Sequence, residues 1–227
     1  ITKAARKLYG ARKPPTRNRQ AVAPGAAVMH YAAENHWCAH VVVRRERGVD
    51  PLRPLAYPEE LEPVIEAAAD PIMVVALSVL QRQGWRITET LMLRRDLHDH
   101  ANARVQRWVT KSRRWTWTAL DPDINNMLRD LPERSDGRLF PWANRHQFYR
   151  AVDPILAKLG MTWRPHMSRR GFVSALNDSN VSTLNIAKAG GWENVRSVEV
   201  YANVNVEQAR GTLAVLRGRL RGRRKIA

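Results

Sequence analysis

The thirteen residues from Pro71 to Gln83, PIMVVALSVLQRQ, constrain the fold of this chain most. At helical period they are apolar on nearly every side, and such a helix has to be enclosed by other elements instead of lying on a surface. Gly84 follows, a residue suited to the C-terminal cap because it enters the left-handed backbone region without penalty. The stretch Pro71 to Leu80 is about half of the roughly 20 residues that a bilayer crossing takes. No signal-peptide pattern opens the chain, so this helix reads as the centre of a soluble domain with no membrane partner. With 227 residues and 44% hydrophobic content, there is room for one full-sized domain around it and a small appendage.

One cysteine, Cys38, excludes an internal disulfide and any knuckle of paired cysteines, and it suits a cytoplasmic protein. The chain begins at Ile1 without a methionine, so part of the natural protein is expected upstream. Charge points to a polyanion: 38 Lys+Arg against 21 Asp+Glu give +17. Residues 1–20 hold seven basic side chains and no acid, and residues 208–227 hold another seven. Both ends are either solvated tails or grips for phosphate. Anionic membrane is the weaker partner, since the Arg-Gly alternation from Arg217 to Arg223 makes a poor amphipathic helix.

Thr16 to Val43 carries a helical pattern after a Pro-Pro break. Arg44 to Pro58 has linker composition, with Pro51, Pro54 and Pro58 disfavouring both helix and central strand. A boundary is therefore placed here, between a segment 1–50 and a domain 51–227. Beyond it, Glu59 to Ala69 reads as an amphipathic helix, the buried helix follows, and a further helix runs through Leu91 and Leu93. Between Arg104 and Leu120 the period changes: RVQRWVT and RWTWTAL are rich in β-branched and aromatic residues and flank Lys111, Ser112 and Arg113, a hairpin signature. Helical patterns return at Asp123 to Asp130, Arg145 to Leu159, Met167 to Leu176, Thr183 to Ala189 and Arg196 to Val204. The expected fold class is mainly α with a small antiparallel sheet, an α+β arrangement.

Arg86 follows the buried helix amid apolar residues, where an unpaired guanidinium is costly. It needs an anion, and Glu89 is one candidate. RPHMSRRGF puts His166 and Arg169 three apart at the start of a helical pattern, on one face and roughly 5–6 Å from each other, beside the donors of a helix N-terminus that favour phosphate. HWCAH sets His36, Cys38 and His40 at alternate positions, with His30 upstream. The pattern continues a helix end, where this spacing scatters ligands, so no metal is expected. HDH at residues 98–100 reads as a polar loop. The eight tryptophans read mostly as core and hairpin packing.

Taken in order, Arg-x-x-Glu after an apolar helix, a hairpin lysine, His-x-x-Arg, a Gly-Trp and a tyrosine nine residues past that tryptophan resemble the tyrosine recombinases, the phage-integrase family. The resemblance covers Ala56 to Val206 as the catalytic domain, and more faintly Thr16 to Cys38 as the last helix of a core-binding domain. It implies a site-specific DNA recombinase that cleaves and rejoins double-stranded DNA through a 3′-phosphotyrosyl intermediate without a cofactor. On that resemblance Arg86 and Arg169 clamp the scissile phosphate with His166 between them, and Lys111 protonates the departing 5′ oxygen. Trp192 donates its indole N–H to the phosphate or buttresses the nucleophile, Tyr201 attacks, and Glu89 supports Arg86. It further implies a tetramer on DNA and a monomer without it, with Val204 to Leu216 packing on a neighbouring protomer. Met167, Ser168 and Gly171 depart from the family pattern. Two rival readings are a type IB topoisomerase and a DNA-binding module whose chemistry has decayed.

Overall fold

The computed structural model describes residues 1–47, 54–110, 112–192 and 194–199. It divides into two compact units, Ile1–Arg53 and Pro54–Ala227.

In the first unit α1 (Thr2–Tyr9) precedes α2 (Pro14–Arg17), which runs through a π-helical turn (Asn18–Val22) into α3 (Ala23–Glu34). The helical pattern expected as far as Val43 thus stops at Glu34. Asn35 caps the helix, and His36 takes a left-handed backbone with φ 60°. The N–H of Trp37 then bonds the Ala32 carbonyl at 2.8 Å, and that of His36 the Ala33 carbonyl at 3.0 Å, which satisfies the last acceptors and turns the chain away. The segment after it folds back over α1 and α2. Glu46 accepts from Arg6 Nε at 2.8 Å and from Arg17 Nη2 at 2.6 Å, and Asn18 bonds both the N–H and the C=O of Glu46. Ala5 and Val22 are the buried apolar side chains among this unit's described residues.

The second unit begins with a 3-10 turn (Pro58–Leu61) and α4 (Glu62–Glu66) in place of the single helix expected to Ala69. Prolines open both pieces, at positions where a missing N–H costs nothing. Asp70 then caps α5 (Pro71–Arg82), accepting from the N–H of Ile72 at 2.9 Å. Helix α5 is enclosed as its pattern requires, with Val75, Ala76, Leu77, Val79 and Leu80 buried between α4, α6 (Ile87–Leu91), α7 (Pro122–Arg129) and α9 (Pro165–Asp178). Burying a side chain such as Leu77 or Leu80 stabilises the fold by about 1.5–3 kcal/mol each. Gly84 takes φ +58°, and a Cβ there would meet the Phe172 ring at 2.6 Å, so both conformation and space demand glycine.

The sheet is antiparallel in the order β1 (His98–Asp99), β2 (Arg104–Val109), β3 (Arg114–Ala119). β2 and β3 form the expected hairpin in a register that pairs Arg107 with Thr116 and Trp108 with Trp115. Of the loop expected at HDH, His98 and Asp99 instead form the edge strand and His100 lies in the turn that follows: His98 pairs with Val105, and its Nε2 lies 2.8 Å from Asn125 Oδ1. Helices α8 (Arg145–Lys158), α9, α10 (Thr183–Ala189) and α11 (Arg196–Glu199) follow. The remainder of the helix expected to Val204 lies outside the described residues. A large apolar cluster surrounds α5, and a smaller one of Phe172, Val173, Ile186, Ala187 and Val198 lies beside Trp192.

Candidate active site

The turn after α5 sets the first cation. Gly84 reverses the chain, Trp85 is fully buried, and Arg86 takes the N-cap of α6 in an extended conformation. Its Nη1 donates to Glu89 Oε1 at 2.7 Å, while its side chain stays 31% exposed. Glu89 is fully buried and binds more than Arg86. Arg107 Nη1 donates to its Oε2 at 2.5 Å, and Thr110 Oγ1 lies 3.4 Å from its Oε1. Burial pushes the Glu89 carboxyl up, but Arg107 and then Arg86 outweigh it, and its pKa falls below the ordinary carboxyl value. The carboxylate is therefore held ionised inside the protein.

The second cation comes from α9. His166 lies exposed in the first turn of that helix, and Arg169, one turn on, is 1% exposed. Arg169 Nη1 donates to the carbonyl of Gly84 at 2.6 Å, so the turn that aims Arg86 also receives Arg169. The guanidinium of Arg169 lies over the indole of Trp192, 3.6 Å from the ring centroid, a cation–π contact. Trp192 in turn stacks on Phe172, with centroids 6.3 Å apart. A cavity of about 250 Å³ opens between Arg86, His166, Arg145 and Tyr149, which is room for a phosphodiester group. Arg86, Glu89, His166, Arg169 and Trp192 thus gather around one turn and one helix start. Lys111 and Tyr201 lie outside the described residues.

Sequence reading missed Arg107. Along β2 the side chains alternate, and Val105, Arg107 and Val109 are the buried set; an arginine at an inward position was the available signal. Besides Glu89 it binds Thr118 Oγ1 through Nε at 3.2 Å. Its Nη2 reaches the carbonyls of Gly191 at 2.9 Å and Gly190 at 3.3 Å. Arg145 and Tyr149, on the cavity wall, were missed as well.

The departures from the family pattern have a local cause. The segment 54–57 lies across α9, with the Ala56 N–H on the Met167 carbonyl at 3.2 Å. A Cβ at residue 171 would fall 1.7 Å from the Ala56 carbonyl oxygen, so only glycine fits there. Ser168 accepts from the indole N–H of Trp163 at 2.8 Å, and Met167 packs against the main core. Among the described residues no group of three or more His, Cys, Asp or Glu is placed to hold a metal. His30 and His40 stack, with centroids 5.5 Å apart. Nor is any described helix long and apolar enough to cross a membrane.

The fold is that of the catalytic domains of DNA strand-transferases of the tyrosine-recombinase class. The family model described as "Phage integrase family" matches residues 57–208, more than half of the chain. The chain belongs to the phage integrase family, and it is a DNA-binding enzyme, a site-specific recombinase of the tyrosine class. Solved structures agree in fold. The XerH site-specific recombinase bound to palindromic difH substrate, a post-cleavage complex, matches with TM-score 0.71 and 14% identity, over 95% of this chain and 69% of that one. The Tn1549 transposon integrase in complex with circular intermediate DNA matches with TM-score 0.71 and 15% identity, over 93% and 83%. The catalytic domain of bacteriophage HP1 integrase matches with TM-score 0.54 and 16% identity, over 70% and 95%. No curated protein sequence matches the chain. Neither rival reading, topoisomerase or decayed module, draws support from these matches.

Proposed function

We propose that this recombinase breaks each DNA strand by attack of the Tyr201 hydroxyl on the scissile phosphorus. The phosphorus–5′-oxygen bond opens, and a 3′-phosphotyrosyl link and a 5′ hydroxyl result. Arg86 and Arg169 hold the non-bridging oxygens, His166 takes the tyrosine proton, Lys111 gives a proton to the departing oxygen, and Trp192 braces Arg169. Reversal with a 5′ hydroxyl from another strand rejoins the DNA. Because the phosphotyrosyl link conserves bond energy, no nucleotide cofactor or metal is needed. The observation that carries this reading is the convergence of Arg86 and Arg169 on the Gly84 turn, next to His166 and a cavity of phosphate size.

The charge balance supports it. Arg86, Arg107 and Arg169 all act on Glu89, so three guanidiniums face one carboxylate, and the surplus suits a phosphate. A free tyrosine, with a pKa near 10, is a poor nucleophile at neutral pH. Cations preorganised around the phosphate stabilise the charge that develops as it attacks, and such donors contribute about 10²- to 10³-fold each. Residues 1–50 would be the end of a core-binding domain and 51–227 the catalytic domain with its basic tail. The working form would be a tetramer on DNA assembled from monomers in the cytoplasm, with segment 204–216 packed on a neighbour.

A nicked suicide duplex carrying the recombination site tests the chemistry. Covalent protein–DNA adduct should form in EDTA, and Tyr201→Phe should abolish it while DNA binding persists. Adduct formation by the Phe variant would move the nucleophile elsewhere. Relaxation of supercoiled plasmid without site preference would instead favour the topoisomerase.

A further inference from the structure

Arg107 occupies a position that packing alone would fill differently. Its neighbours on the inward face of β2, Val105 and Val109, are aliphatic, and replacing a buried ion pair by well-packed apolar groups is often neutral or stabilising. Burial opposes its charge, with Glu89 as the counterweight. Yet its donors leave in three directions, to Glu89, to Thr118 and to the Gly190 and Gly191 carbonyls. Those two carbonyls end α10 and would otherwise lack a partner within the helix. Gly191 has φ +64°, and a Cβ on it would fall 1.7 Å from Arg107 Nη2; the glycine is what admits the guanidinium.

We infer that Arg107 is a positioning residue that couples the two phosphate-holding arginines. Through Glu89 it fixes Arg86, and through the Gly190 and Gly191 carbonyls it fixes the loop that sets the Trp192 ring against Arg169. The inference rests on the assignment of Arg86 and Arg169 to the scissile phosphate. A lysine cannot replace it, because one ammonium on a flexible stem does not span acceptors that a planar fork reaches at once. The arrangement also links strand β2 of the hairpin to the chain that continues from Trp192.

The 227-residue chain on the suicide duplex, at saturating DNA, provides the test. Arg107→Met and Arg107→Lys should bind DNA as the native chain does, yet form adduct about 10- to 100-fold more slowly, the usual loss when a partner that orients an active group is removed. Rates are taken per DNA-binding-competent molecule, so a loss of folded protein does not imitate the effect. In Arg107→Ala, methylguanidinium in solution should restore part of the rate, a readout that a general change of stability does not give. Adding Glu89→Gln to Arg107→Met should cost less than the product of the two single losses, because both act on Arg86 along one path. If Arg107→Met does not fold, Arg107→Lys under the same measurements decides between coupling and its absence. Native-like rates in the folded variants, no rescue, or independent losses in the double variant would overturn the coupling while leaving the proposed chemistry standing. Absence of adduct from the native chain would instead overturn the assignment on which the inference rests.

Discussion

Two glutamates in this protein do the same local job in different surroundings. Glu46, in the first unit, bridges Arg6 and Arg17; Glu89, in the second, bridges Arg86 and Arg107. Glu46 is covered by the arginines that bind it, and Arg6 is itself 66% exposed. Glu89 and Arg107 are at most 1% exposed and are walled by Trp85, Thr118 and the α10 terminus. Near water a carboxylate that loses a partner is rehydrated, whereas inside the protein it is left without solvation. The Glu46 pair therefore acts as a removable clasp on a loop, while the Glu89 pair is a commitment of the core to hold charge beside the site.

Glu89→Ala should have the largest effect. It strands Arg107 in the interior, so equilibrium unfolding in urea should show a loss of about 3–5 kcal/mol, with adduct formation lost as well. Little change in midpoint would mean that water reaches Arg107. Glu89→Gln keeps the shape and some hydrogen bonds and should cost less stability, but it removes the anion that aims Arg86. Its signature is a reduced cleavage rate at unchanged DNA affinity.

Acid comes next. The Glu89 pKa is depressed in the folded protein, so its contribution is present above the ordinary carboxyl value of 4.5 and is lost as pH falls through the lower folded value. The slope of stability against pH below 4.5 should be shallower in Glu89→Gln than in the native chain, and equal slopes would refute the linkage. Glu46 is depressed too, by its bonds to Arg17 and then Arg6, so the first unit follows the same sign. Glu46→Gln should have the smallest effect of all. High salt should weaken the solvent-facing Arg6 bond more than the covered Arg17 bond, and the variant should show faster proteolysis near residues 44–47 with cleavage of DNA unaffected.

Legibility in the sequence followed the range of the interaction. Helix α5 and its Gly84 cap, the β2–β3 hairpin and the start of α9 were readable because period, cap and turn chemistry act over a few residues. The end of α3 was not, because its stop depends on His36 taking the left-handed backbone, with no glycine there to announce it. Arg86 with Glu89 and His166 with Arg169 were visible as spacings of three. Arg107 was not, since alternation marks it as inward-facing but its partners at Gly190 and Gly191 lie over 80 residues away along the chain. The same distance hid the reason for Gly171, whose crowding neighbour, Ala56, belongs to another part of the chain.

That crowding has a mechanical side. Segment 54–57 is fastened to α9 at successive points: the Pro54 carbonyl accepts from Arg170, the Ala56 N–H bonds Met167, and the Tyr57 hydroxyl bonds Asp178. A pull on the chain where it enters the second unit loads these bonds, and with them the helix that carries His166 and Arg169. Force applied at Pro54 therefore passes into α9 through the Arg170, Met167 and Asp178 bonds, and into the main core through the buried Ala56 side chain.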